Sequence, residues 1–356
     1  MKACVLHGVA DLRYEEVPTP SPRPGEVLVE VKACGVCGSD IPRVFSKGTY
    51  RFPIIPGHEF AGIVAAAGPD GTGAGLVGRP VTVFPLIPCR NCPACDAGAF
   101  AQCAGYDYLG SRSDGAFAEY VRVPQWNLVP LPDGVTFEEA AMTEPCAVAL
   151  HAVRRASVEP GDTVLIMGAG PIGLMVAMWA RIDGAGRVLL ADIDDAKLEF
   201  AQRLGFDRTF NPARSGTVPA AGAAWVQDTT ALGANVAIDA AGTAAAVEAC
   251  LTAARIFGRV VLLGNPPGDM TLSQDAYWAI LRKELQIRGT WNSTRTELRG
   301  NEWQTSLDFI AAKRLPLKDL ITHRVPLEKL PDALQMMRNK KTFFNKVIFT
   351  KAKNGH

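Results

Sequence analysis

The sequence predicts a mixed α/β protein in two parts, a β-rich N-terminal region and a doubly wound parallel sheet, and three observations predict it. Over the first ~150 residues, apolar runs of strand length are punctuated by proline and glycine, which favours short strands and loops over helices. Past Pro160-Gly161-Asp162 the pattern changes to short apolar runs alternating with helical stretches, as in parallel strands joined by right-handed crossovers. The first of these runs opens into a glycine turn, Gly168-Ala169-Gly170-Pro171-Ile172-Gly173, placed between strand and helix.

The elements follow in order. Val27–Ala33 has strand length and β-branched content and follows the Pro/Gly-rich stretch Pro18–Gly25. Phe60–Ala67 is a second strand, ending in Gly68-Pro69-Asp70-Gly71-Thr72-Gly73. Val81–Phe84 leads through Pro85 and Pro88 into a cysteine cluster, and Phe117–Val123 reads as a further strand. In the second part, Thr163–Met167 is a buried strand, followed by the glycine turn and an apolar helix to about Arg181. Arg187–Ala191 ends at Asp192. Asp195–Leu204 is a helix with Leu198, Ala201 and Leu204 on one face and Gly205 as its stop. Ala213–Ala224 reads as a loop entering a helix. Val236–Ala240 and Arg259–Leu263 are strands separated by an alanine-rich helix near 244–254, and the alternation ends after Leu285–Gly289. The expected domains are 1–152 with a cysteine lobe at about 88–104, then 153–289, then 290–356 returning to the first domain.

Length and composition bound the function. A chain of 356 residues with 48% hydrophobic and 21% charged residues has material for more than one core. Lys plus Arg number 37 against 36 acids, so there is no electrostatic case for a nucleic-acid or membrane partner. The uncharged run Val164–Ala180 is short for a membrane span and holds three glycines and a proline, so strand, turn and buried helix is the better reading. The apolar run at Met1–His7 is too short for a secretory signal, which predicts a cytoplasmic protein whose clustered cysteines bind metal rather than form disulfides. Cys4, Cys34, Cys146 and Cys250 read as small buried hydrophobes.

Cys89, Cys92, Cys95 and Cys103 have C-x2-C-x2-C-x7-C spacing. Thiolates this close can wrap one tetrahedral ion, and an all-sulfur site with no open position is a structural zinc site. The glycine turn is weak evidence alone, since a flavodoxin-like or purely structural turn would also serve. Here an acid, Asp192, ends the next strand, and that is the context of dinucleotide binding. Gly168 permits the turn, Gly170 lets backbone approach a pyrophosphate, and Gly173 lets helix and strand pack closely. The helix N-terminus then faces phosphate. Asp192 would accept hydrogen bonds from ribose hydroxyls and repel a 2′-phosphate, which favours NAD over NADP.

A second metal site is assembled from separated residues. Cys37 lies between glycines in Gly35-Val36-Cys37-Gly38-Ser39-Asp40, His58-Glu59 follow the forced turn Pro56-Gly57, and Glu144 is a candidate oxygen ligand. A lone Cys or His is ordinarily core packing. Three such elements ahead of a nucleotide fold point instead to a catalytic zinc, with about three protein ligands and one open position. Arg43 and Lys47, just beyond the Cys37 turn, could meet the far end of a phosphorylated substrate, although Arg43 could equally pair with Asp40. Trp291, after the last strand, could line the pocket.

Together, Cys37-Gly38-Ser39-Asp40, Gly57-His58-Glu59, the four clustered cysteines, Asp114-Gly115-Ala116-Phe117-Ala118-Glu119-Tyr120 and the Gly168 turn resemble the zinc-dependent medium-chain dehydrogenases, over essentially the whole chain. Glu144-Pro145 is similar to the polyol, sorbitol dehydrogenase-like branch. Cys37–Phe45, Tyr106–Arg112 and Leu281–Leu285 are similar to members acting on polyol phosphates. The resemblance implies a GroES-like catalytic domain beside a Rossmann domain, two zinc ions per chain, NAD, and a homodimer or homotetramer. It implies that Cys37, His58 and Glu144 hold the catalytic zinc with Glu59 beside it, directly or through water. It implies that Ser39 begins a proton relay, and that Pro171, Ile172, Asp192, Lys197 and Leu263-Gly264 join the glycines in contacting NAD. The activity implied is hydride transfer between NAD and a secondary alcohol of a polyol or polyol phosphate. An unphosphorylated polyol, a cyclitol or an amino alcohol is the alternative within the class. A zinc-stabilised nucleotide-binding protein without catalysis is the alternative outside it. Cys146 and Ala149 depart from the branch's pattern next to Glu144 and bear on pocket shape.

Overall fold

The strand Glu26–Gly35 organises the first unit of the computed structural model, which describes residues 1–296 and 300–351. Its side chains alternate, burying Val27, Val29, Val31 and Ala33 on one face, as a half-buried strand requires. Along one edge it pairs antiparallel with Glu59–Ala67, which is followed outward by Pro80–Val83 and Leu128–Pro130. Its other edge is shared by Tyr120–Pro124 at the start and Lys346–Thr350 at the end. Ile321–Val325 lies parallel to the latter and completes a seven-stranded sheet. Phe60, Val64, Val81, Phe117, Val121, Val347 and Phe349 pack into one core with the Val27–Val31 face. Each large apolar side chain buried there contributes about 1.5–3 kcal/mol.

This unit comprises Met1–Ala147 and the chain from Thr294 onward. Two details of its local structure differ from the sequence expectation. The strand expected from Phe117 begins at Tyr120. Before it, Ala116 and Phe117 donate to the carbonyls of Gly57 and Pro56, and Ala118 bridges Ala3. The apolar run is therefore extended, but its first residues brace the Gly57-His58 turn instead of joining the ladder. The cysteine lobe is held between Leu86–Ile87 and Asp107–Tyr108, which pair as a short hairpin. Around it Phe100 meets Trp126 edge-on at 5.2 Å, and the Arg90 and Arg295 guanidinium groups cover the Trp126 ring at 4.5 and 4.7 Å.

The second unit, Val148–Ser293, is a six-stranded parallel sheet. Its strands run Thr209–Phe210, Arg187–Ala191, Thr163–Met167, Ala234–Asp239, Ala254–Leu262 and Gln286–Gly289 across the sheet, all in parallel register. Counted in chain order within the unit this is 3-2-1-4-5-6, the doubly wound order of dinucleotide-binding folds. Thr163–Met167 is buried at every position, as a strand covered on both faces must be. The helix Pro171–Ile182 follows it, with Leu174–Ala180 buried throughout. Asp194 and Thr243 cap the helices Asp195–Arg203 and Ala244–Ala253 by accepting backbone N–H bonds. Within 213–224, expected as a loop entering a helix, the helix begins at Val218, because proline in the first turn costs nothing there and alanine is the best helix former. Among the described residues no helix is long and apolar enough to cross a membrane.

Candidate metal and cofactor sites

Three strand ends converge on one point of the first unit. Gly35 ends its strand opposite Glu59 on one side and Ile348 on the other, and the chain turns directly into Val36-Cys37. Ligand atoms of Cys37, His58 and Glu59 lie within 4.8 Å of one another. His58 and Glu59 are buried, whereas Cys37 is half-buried. Such a Cys/His/carboxylate set, with one half-exposed member, suits a zinc ion with an open position. His58 Nδ1 supports the fit, being buried without a hydrogen-bond partner. Asp40 Oδ1 stands 3.7 Å from that nitrogen, and Asp40 Oδ2 accepts the Cys37 N–H at 3.0 Å. Burial, with the nearby Glu59 and Asp40 charges, pushes the Cys37 thiol up to about 12; a bound divalent cation reverses that balance.

Glu144 enters from the first turn of the helix Thr143–Ala156. It stands outside the three-residue set, yet its charge acts on Cys37 and it is itself under the influence of His58 and Glu59. Burial raises its carboxyl to about 7. The Tyr108 hydroxyl donates to Glu144 Oε1 at 3.1 Å, and the Tyr108 ring meets the His58 ring edge-on with centroids 5.7 Å apart. Ser39 is half-buried just ahead of the short helix Asp40–Pro42.

Sequence reasoning assigned no role to Lys346. Its ammonium is buried, forms an ion pair with Glu59 Oε2, and donates to the Val36 carbonyl at 3.2 Å. Burial works against the ammonium, but the Glu59 and Cys37 charges outweigh it and raise the Lys346 pKa. Gly35 makes the pairing possible, since a Cβ there would collide with Glu59 Oε2 and Lys346 Cε. The available signal was a lysine opening the apolar strand Lys346-Val347-Ile348-Phe349, a charge where the pattern asks for core. Asp40 and Tyr108 lie inside sequence motifs, and the structure places both against the cluster.

The four-cysteine set is equally compact. Its sulfurs lie within 4.8 Å of one another, and Cys89 and Cys95 are 3.9 Å apart. Zinc–sulfur bonds of about 2.3 Å in a tetrahedron space sulfurs by ~3.8 Å, so the set fits that ion. Backbone N–H groups of Cys89 and Arg90 donate to Cys103 and Cys95 Sγ. Burial resists ionisation of Cys103, but the Cys89 donor and its neighbours prevail and bring it down to about 7.

In the second unit Gly168 has φ 112° and a side chain at Gly173 would strike the Gly168 carbonyl, so strand and helix meet through these two glycines. Gly170 is the N-cap and Pro171 begins the helix, with no side chain capping its N–H groups. Asp192 Oδ2 accepts from Ala169 N–H at 2.8 Å and Oδ1 from Asp194 N–H at 3.0 Å. Lys197 Nζ stands 3.5 Å from Asp192, and Leu263 and Gly264 donate to the Asp239 carbonyl. Ile172 is half-buried at the helix start. Of the residues considered for substrate, Arg43 is committed to Asp40 at 2.6 Å, Lys47 is exposed, and Trp291 is 49% exposed in the second unit.

Residues 23–133 match the family described as alcohol dehydrogenase GroES-like domain, and residues 171–312 match the zinc-binding dehydrogenase family. Galactitol 1-phosphate 5-dehydrogenase of Escherichia coli K12 is 36% identical over 312 residues, 87% of this chain and 88% of that protein. The crystal structure of galactitol-1-phosphate dehydrogenase from Escherichia coli superposes with a TM-score of 0.90, at 33% identity, over 99% of this chain and all of that one. Sorbitol dehydrogenase of Bacillus subtilis is 32% identical over 341 residues, 94% of this chain and 93% of that protein. An alcohol dehydrogenase of Escherichia coli CFT073, solved with NADH, is similar at a TM-score of 0.88 and 29% identity, covering 99% of each chain.

Removing Lys346 leaves Glu59 buried without its counter-charge. Lys346→Met is expected to cost about 3–5 kcal/mol in urea unfolding followed by tryptophan fluorescence. Adding Glu59→Gln should restore a large part of that loss. A single variant within ~1 kcal/mol of the parent, at the scale of an exposed pair, would show that the ion pair is not a buried constraint.

Proposed function

The chain belongs to the zinc-dependent, GroES-like family of alcohol and polyol dehydrogenases, and on that premise we propose that it oxidises a secondary hydroxyl of a polyol phosphate with NAD. Galactitol 1-phosphate is the first substrate to test. The observation that carries this reading is the convergence of Cys37, His58 and Glu59, with Glu144 adjacent, in a chain matching a polyol-phosphate dehydrogenase along most of its length. Free galactitol or sorbitol is the second reading, favoured by the sorbitol dehydrogenase relative.

In this reading Cys37, His58 and Glu59 hold the catalytic zinc, Glu144 stands beside them, and the four clustered cysteines hold a structural one. Bound zinc supplies a Lewis acid that makes an alcohol more acidic and stabilises negative charge on its oxygen. NAD supplies the hydride acceptor. Asp40 braces the Cys37 turn by accepting the Cys37 N–H, and its charge stands 3.7 Å from His58 Nδ1. Tyr108 fixes the Glu144 carboxylate, and Lys346 balances Glu59 so that the cluster does not accumulate unopposed negative charge. Ser39, half-buried at the start of its helical turn, accepts the hydroxyl proton and passes it outward. In the second unit the N–H groups of Gly170, Ile172 and Gly173 receive the pyrophosphate, flanked by Ile172 and Leu263-Gly264. Asp192 takes the ribose hydroxyls; each of its oxygens has acceptor capacity beyond the backbone bond it already makes.

Clustered thiolate ligands such as Cys89, Cys92, Cys95 and Cys103 suit a reducing compartment, and we place the enzyme in the cytoplasm. We also assign it a homo-oligomer built on the second unit. Phe257 and Ile256 are 63 and 61% exposed on the strand next to the terminal strand Gln286–Gly289, and Tyr277 and Leu281 are 58 and 51% exposed on the helix Gln274–Arg282 that precedes it. Phe257 even holds φ at 58°, a costly conformation for an exposed aromatic. An apolar patch beside an open strand edge is a surface proteins ordinarily cover.

Purified protein should carry two zinc ions per chain and produce NADH from galactitol 1-phosphate. Cys37→Ser should abolish turnover while retaining the four-cysteine ion and the fold. Elemental analysis with a polyol panel checks this, and one ion per chain in undamaged protein contradicts it. Asp192→Ala should weaken NAD by about 1.5–3 kcal/mol for each ribose hydrogen bond lost and narrow the gap to NADP. Equal efficiency of the parent with both cofactors removes that assignment. Light scattering should find an oligomer that Phe257→Glu with Tyr277→Glu breaks up; a monomeric parent at micromolar concentration rules the interface out.

A further inference from the structure

The proposed substrate carries a charge at the end remote from the reacting hydroxyl, and the cations considered from sequence near the metal cluster do not present themselves to meet it. Arg43 is tied to Asp40 at 2.6 Å, and Lys47 is exposed at the end of its helical turn. Arg51 spends its donors on the carbonyls of Arg112 and Pro53 and on Asp114. Arg112 is different. It is half-buried, and among the described residues no carboxylate forms an ion pair with it. Its guanidinium lies between two tyrosines, 4.3 Å from the Tyr50 ring centroid and 4.4 Å from that of Tyr106.

Those rings connect it to the metal cluster. The Tyr106 ring meets Tyr108 edge-on at 6.3 Å, the Tyr108 ring meets His58 at 5.7 Å, and the Tyr108 hydroxyl is bonded to Glu144. The centroid steps of 4.4, 6.3 and 5.7 Å set the upper bound on the distance from the guanidinium to the His58 ring. An extended six-carbon chain with a terminal phosphate spans about 8–10 Å by ordinary single-bond lengths. Tyr106 and Tyr108 are half-buried, which gives a substrate a wall of rings and hydroxyls to lie along. The backbone fixes the far end: Arg112 N–H donates to the Tyr108 carbonyl at 2.9 Å, and its own carbonyl accepts from Arg51 Nε at 3.2 Å.

We propose that Arg112, clamped between Tyr50 and Tyr106, is the specificity residue that receives the terminal phosphate of the substrate. This rests on the polyol-phosphate reading above. A guanidinium held by its faces against two rings, with Nη2 donating to the Tyr50 hydroxyl at 3.5 Å, still has N–H groups on Nε and Nη1, and a guanidinium edge matches a phosphate through two parallel bonds. The uncompensated charge is thus placed for an anion that the substrate itself brings.

The test uses the full-length, zinc-loaded enzyme with NAD and compares galactitol 1-phosphate with galactitol for the parent, Arg112→Gln and Arg112→Lys. Arg112→Gln is expected to raise KM for the phosphate ester about 10- to 100-fold with kcat little changed. Its kcat/KM for free galactitol should stay within about twofold, and Arg112→Lys should fall between because it keeps the charge but loses the fork. Proportional loss on both substrates, or unchanged KM for the ester in a parent that prefers it, overturns the Arg112 assignment and leaves the substrate reading standing. A parent that oxidises free polyols and shows no preference for the ester overturns the substrate reading, and this assignment with it.

Discussion

The ion pair between Glu59 and Lys346 is the constraint on which the rest of the metal site depends. Asp40, Glu59 and Glu144 are all buried within one small region, beside a cysteine that must ionise to bind a cation. Gathering that much negative charge away from water is unfavourable unless positive groups are gathered with it. Lys346 answers Glu59 and Arg43 answers Asp40. Glu144 accepts from the Tyr108 hydroxyl, and burial drives its carboxyl up to about 7. The site is in this sense prepared for a divalent ion by leaving its balance slightly negative.

The same constraint explains the backbone around it. Gly35 has to lack a side chain because the two charges occupy that space, and it has to sit where three strands end because Glu59 and Lys346 come from its two neighbours. The apolar alternation of Glu26–Gly35 fixes the register that brings those ends together, and a slip by one residue would turn Glu59 to the other face. Core packing and site chemistry are therefore coupled through strand register alone.

Much of this was legible in the sequence where chemistry is local. Four cysteines within fifteen positions, or a glycine turn answered by Asp192, declare themselves because their partners are close in the chain or regularly spaced. The alternation of strands and helices after Pro160 likewise carries its own period. Lys346 was not legible because its partner lies 287 residues away, and a lysine at a strand start ordinarily reads as a solvated charge. Arg43 could be read either as a substrate contact or as Asp40's partner until geometry placed them 2.6 Å apart. The start of the helix at Val218 was hidden by composition, since alanine, glycine and proline together mimic a loop.

The order in which the chain leaves the ribosome acquires a meaning here. Cys37, His58 and Glu59 are synthesised well before the strand that brings Lys346 and closes the edge beside Gly35. Between those moments the whole second unit is made. A growing chain thus holds a set of metal-binding side chains long before it holds their counter-ion. The charge balance of the metal site therefore waits on a strand made well after its metal-binding side chains.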